Sequence, residues 1–62
     1  MKAPDYKCGD IVEFSWGEER KTGSIAIVDA NGTFEQNEEP SYDIRVEGEG
    51  LYKHVRESEI VG

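Results

Sequence analysis

Residues 42–56 read Tyr42-Asp43-Ile44-Arg45-Val46-Glu47-Gly48-Glu49-Gly50-Leu51-Tyr52-Lys53-His54-Val55-Arg56, and this stretch decides the fold. From Tyr42 to Glu47 apolar and polar residues alternate without a fault, the period of two that a half-buried strand imposes. Gly48-Glu49-Gly50 interrupts the pattern, and a second run extends from Leu51 to Arg56. Two such runs about a Gly-rich turn spell a β-hairpin. Alternation carried through both runs puts Tyr42, Ile44, Val46, Leu51 and Val55 on the inner face and Tyr52 on the outer one.

Upstream, Asp10–Trp16 has the same period, with Val12, Phe14 and Trp16 on one face and Glu13 and Ser15 on the other. Gly17-Glu18-Glu19-Arg20 is polar and ends that strand. Gly23–Asp29 is continuously apolar at its centre and rich in β-branched residues. It is therefore predicted to be the most central strand, or a strongly bent one shared by both halves of a barrel. Asp29-Ala30-Asn31-Gly32 supplies turn chemistry, and residues 30–41 form a long acidic loop closed by Pro40. Beyond the hairpin, Glu57-Ser58-Glu59 reads as a single helical turn and Ile60-Val61 as a last short strand. Residues 1–8 are a lead-in, with Pro4 discouraging helix. The expectation is one all-β domain over residues 1–62, a small five-stranded barrel with a short helical turn before the last strand. Its core is predicted to hold Val12, Phe14, Ile25, Ile27, Val28, Tyr42, Ile44, Val46, Leu51, Val55 and Ile60.

Size and composition narrow the chemistry. A folded chain of 62 residues has room for one core and a net stability of only about 3–9 kcal/mol. One cysteine excludes an internal disulfide, and one cysteine with one histidine cannot build a structural zinc site. No stretch is long and apolar enough for a transmembrane helix and none reads as a signal peptide, so a reducing, cytoplasmic setting is the expectation for Cys8.

Four motifs carry a family resemblance: Gly9-Asp10-x-Val12-x-Phe14, Gly23-x-Ile25-x-x-Val28, Tyr42-x-Ile44-x-Val46 and Val55-x-Glu57-x-Glu59-Ile60. Over residues 9–61 the chain resembles the SH3-like small barrels. That broad group includes KOW, Tudor-like and photosystem-accessory-subunit domains and small bacterial or prophage proteins. The resemblance implies a fold, and a fold of this kind hosts many activities. Two family functions do not carry over. KOW relatives that bind RNA are basic, and peptide-binding SH3 domains have a Trp pair after the middle strands, whereas Trp16 lies before the second strand.

No catalytic motif is present: there is no Gly-x-Ser-x-Gly, no phosphate-binding loop and no His-Glu-x-x-His. Cys8 and His54 could pair as nucleophile and base, but so short a chain leaves little cavity to exclude water, and the chain is read as a non-enzyme without cofactor. Asp29-x-Asn31-Gly32 with Glu35 faintly matches a calcium loop, yet the glycine stands at the fourth position instead of the sixth, and no metal site is expected.

Charge speaks against nucleic acid. Acids outnumber bases fourteen to seven, for a net charge of −7, and the mean field repels a polyanion. Arg45, Lys53 and Arg56 remain the candidate basic patch. The acids also suit solubility and a monomeric state, or imitation of a phosphate backbone. Trp16, Phe34 and Tyr52 are the aromatics hardest to assign to the core; they either plug the barrel ends or line a binding groove. The leading expectation is a non-enzymatic interaction module holding a basic protein segment through Trp16, Phe34, Tyr52, Glu38 and Glu39. An acidic decoy of nucleic acid and a weak nucleic-acid-binding barrel are the alternatives.

Overall fold

The computed structural model describes residues 4–32 and 39–61. They form four strands, β1 (Ile11–Trp16), β2 (Glu19–Asp29), β3 (Ser41–Val46) and β4 (Gly50–Arg56), in one antiparallel sheet of order β1-β2-β3-β4. A single 3-10 turn, Glu57–Glu59, follows β4, as the sequence predicts. The described residues contain no α-helix. In place of the expected fifth strand, Ile60 makes an isolated antiparallel bridge to Phe14 and the Val61 amide donates to the Glu13 carbonyl at 2.8 Å.

The first hairpin is tighter than its polar sequence suggests. Trp16 pairs with Glu19, leaving Gly17-Glu18 as a two-residue turn. Gly17 has φ 64° at the first turn position, where a type II′ hairpin turn takes glycine. Glu19–Thr22 thus belong to β2 and not to the break in which alternation would leave them. They are polar because this arm pairs with β1 alone; the register with β3 begins only at Ser24.

β2 changes partners midway, pairing with β1 from Glu19 to Ser24 and with β3 from Ser24 to Asp29. Gly23 stands at the exchange, where a Cβ would lie 2.4 Å from the Arg45 carbonyl oxygen and 2.8 Å from Ile44 Cγ2. Only a residue without a side chain permits that approach.

Two β-bulges correct the predicted faces. In β2, Ile25 pairs with Ile44 and Ile27 with Asp43, so Ala26 is an extra residue. In β4, Val55 pairs with Tyr42 and Tyr52 with Ile44, so Lys53 and His54 together oppose Asp43. An extra residue reverses the alternation beyond it. Ile27, predicted to be core, is therefore 52% exposed, while Val28 packs against the core. Leu51 is likewise turned out at 40% exposure, and Tyr52, predicted to face outward, packs inward on Phe14. His54 takes φ 61° in its bulge, and its amide donates to Asp43 Oδ1 at 3.1 Å. The Ala26 carbonyl accepts the Cys8 thiol at 3.3 Å.

The core otherwise follows the pattern: Val12, Phe14, Ile25, Tyr42, Ile44, Val46, Val55 and Ile60 are buried. Pro40, Ser41 and Glu57 are buried as well and lie outside the predicted core. Glu57 is 6% exposed and accepts the Tyr42 hydroxyl at 2.8 Å and the Asp5 amide at 3.0 Å through Oε2. Burial, then the neighbouring carboxylate, push the Tyr42 phenol up to about 12. The lead-in is thereby anchored: Tyr6 meets Tyr42 edge-on at 5.7 Å, and Gly9 and Asp10 exchange backbone hydrogen bonds with Ile25.

Candidate functional site

Cross-strand pairing gathers one cluster on the inner face of the sheet at the β1–β2 hairpin. Phe14 pairs with Lys21 and Trp16 with Glu19, so all four side chains share a face. The β4 bulge turns Tyr52 onto the same face. Its ring meets Phe14 at 5.7 Å and Trp16 at 4.8 Å, both edge-to-face. Phe14 is fully buried, Tyr52 half-buried and Trp16 42% exposed. The three rings form a continuous series from core to solvent.

Carboxylates frame this series. Lys21 Nζ lies 3.0 Å from Glu49 Oε1, 3.2 Å from Glu19 Oε1 and 5.5 Å from the Tyr52 ring centroid. Its side chain is only 15% exposed. The hydrogen bond to Glu49, then that to Glu19, holds the Lys21 ammonium well above its ordinary pKa. The Tyr52 hydroxyl donates to Glu49. That bond, then Lys21, draws the Glu49 carboxyl below its usual range, and the same carboxylate raises the Tyr52 phenol. Two carboxylates around one ammonium leave the cluster with a net negative charge, held in place by the aromatic ring beneath.

The other predicted residues fall elsewhere. Phe34 and Glu38 lie outside the described residues. Glu39 caps the 3-10 turn, accepting the Ser58 amide at 2.7 Å and the Ser58 hydroxyl at 3.1 Å. The structure thus joins Trp16 and Tyr52 and puts Glu39 at a different place. Lys21, Glu19 and Glu49 were missed. Their signal was available only as a register, because Lys21 opposes Phe14 across a hairpin whose turn was not located.

The basic candidates are dispersed or paired. Arg56 donates to Glu59 at 3.3 Å, and Arg45 shares a surface depression with Glu47 and Glu49. Cys8 donates to a backbone carbonyl and His54 occupies a bulge. Asp29 Oδ1 accepts the Asn31 amide at 3.3 Å, which makes this stretch a turn of its own. Among the described residues no group of three or more His, Cys, Asp or Glu is placed to hold a metal ion. Among them, too, no helix is long and apolar enough to cross a membrane. Comparison with models of protein families, with curated proteins and with solved structures finds no match.

Proposed function

We propose that this chain is a non-enzymatic interaction module of SH3-like barrel type that binds a basic segment of a partner protein on the Trp16–Tyr52 cluster. The observation that carries the proposal is the exposed Trp16 ring, buttressed edge-on by Tyr52 and framed by Glu19 and Glu49. An exposed aromatic on a rigid support costs little ordering entropy on binding, and such residues dominate the energetics of interfaces. The surrounding carboxylates favour a cationic partner. The barrel part of the proposal is supported by the partner exchange along β2, the 3-10 turn after β4 and the return of Ile60 to β1.

A titration of Trp16 fluorescence with a Lys- and Leu-containing peptide tests this reading. Binding is expected to weaken with salt but to persist at high ionic strength, where charge is screened and apolar contact is not. Trp16→Ala, followed by calorimetry, is expected to abolish it. Complete loss of wild-type binding at high salt would instead support the acidic decoy, and binding of labelled DNA or RNA would support the nucleic-acid reading.

A further inference from the structure

We propose that Lys21 is the built-in occupant of an ammonium site formed by Glu19, Glu49 and the Tyr52 ring, and that a partner's lysine enters by displacing it. This rests on the basic-segment reading above and names the side chain that the cluster takes and the residue that controls its entry.

Three elements assemble the site, and its shape does not depend on Lys21. Glu19 is set on β2 by its pairing with Trp16. Glu49 lies in the turn between β3 and β4, where its amide donates to the Val46 carbonyl at 3.0 Å and its carboxylate accepts the Tyr52 hydroxyl. Tyr52 is held in turn by its edge contacts with Phe14 and Trp16. Two carboxylates beside one aromatic face make a receptor for an alkylammonium, which pairs with the anions and is attracted by the ring. That an ammonium fits is visible in Lys21 itself, whose Nζ lies 3.0 Å from Glu49, 3.2 Å from Glu19 and 5.5 Å from the Tyr52 ring centroid.

Exposure separates the receptor from its occupant. The Lys21 side chain is 15% exposed, whereas those of Glu49 and Glu19 are 44% and 73% exposed. An incoming cation therefore reaches the carboxylates before Lys21 leaves them. Two ammonium groups on one carboxylate pair repel each other, so entry of the second expels the first. Lys21 leaves by side-chain rotation alone, because its backbone pairing with Phe14 is no part of the site. Being tethered beside the carboxylates, Lys21 competes at an effective concentration that a simple free amine does not match. A lysine on a segment that also packs on Trp16 has a second source of affinity and overcomes that competition.

The test uses the whole chain and two variants. Lys21→Ala removes the occupant, and the part removed corresponds to propylammonium, which is the probe. At constant ionic strength the Trp16 fluorescence of this variant is expected to respond saturably to propylammonium chloride, and that of the wild type is not. Adding Glu49→Gln to Lys21→Ala is expected to abolish the response. Lys21→Met keeps the aliphatic stem and deletes the charge. It is expected to bind the Lys- and Leu-containing peptide about two- to fivefold more tightly than the wild type, the worth of an exposed ion pair. No saturable response in Lys21→Ala, or one that survives Glu49→Gln, would overturn the ammonium site. Equal or weaker peptide binding by Lys21→Met would overturn displacement and make Lys21 a purely structural ion-pair partner. A propylammonium response with no peptide binding by either protein would remove the basic-segment reading, and displacement with it, and keep the ammonium site.

Discussion

The Tyr42 hydroxyl donates to the buried Glu57 carboxylate at 2.8 Å, tying the start of β3 to the turn that follows β4. Tyr42 is completely buried, so no water replaces this partner when it is lost. A hydrogen bond to a charged group contributes about 1.5–3 kcal/mol, and Tyr42→Phe is expected to lower the urea-unfolding free energy by that amount.

The same pair predicts an alkaline transition. The Tyr42 phenol has an ordinary pKa of 10.0 and is raised to about 12 in the folded protein. A raised acid favours the folded state fully below pH 10 and ceases to do so as pH climbs toward 12, because the unfolded chain releases its proton first. The thermal midpoint is expected to fall between pH 10 and 12, and to fall less in Tyr42→Phe. An equal fall in both proteins would remove Tyr42 as its source.

Gly23→Ala sets a methyl group against the Arg45 carbonyl, a backbone atom that cannot swing aside. The strands must part where β2 exchanges β1 for β3. A loss of about 1–3 kcal/mol is expected in chemical denaturation, a large share of the stability of so small a domain. A neutral substitution would mean that the two strands are further apart in solution.

His54 holds a left-handed backbone at φ 61°. Glycine adopts that conformation freely and a β-branched residue strongly resists it. His54→Gly is expected to be neutral or stabilising by up to about 1 kcal/mol, and His54→Val to cost more than about 1 kcal/mol. Equal midpoints for the two variants would contradict the bulge.

Glu49→Gln removes the largest influence on the Lys21 ammonium and on the Tyr52 phenol. Both pKa values are expected to move down toward their ordinary positions, read from the Lys21 Cε chemical shift and from the ultraviolet absorbance of tyrosinate. If neither moves, the two side chains do not meet Glu49 in solution.

The regular half of this architecture was legible because β1 and β3 keep strict alternation: Val12, Phe14, Tyr42, Ile44 and Val46 are buried as predicted. Where a strand holds an extra residue, alternation misleads. Neither Ala26 nor His54 is a glycine or proline that would mark a bulge, so Ile27, Leu51 and Tyr52 were assigned to the wrong faces. The candidate site was half legible for the same reason. Trp16 stood out as a large ring at a strand end, but its support by Tyr52 depends on the β4 bulge. Glu57 could not be recognised at all, since a glutamate in an acidic turn looks solvated until its partners are known, and those are Tyr42 and a backbone amide at Asp5.

That last contact also has a consequence in time. Asp5 and Glu57 are separated by 52 positions in the chain. During synthesis the first residues therefore emerge long before the side chain that will hold them exists. Contacts so distant along the chain slow folding, because the loop between them must be closed first. The β1–β2 hairpin can form early, from neighbours only a few residues apart, but the docking of Asp5 must wait for the 3-10 turn that carries Glu57. A chain halted before Glu57 would leave Tyr42 buried without its acceptor or keep it exposed to water. In either state Asp5 stays undocked until Glu57 has been made.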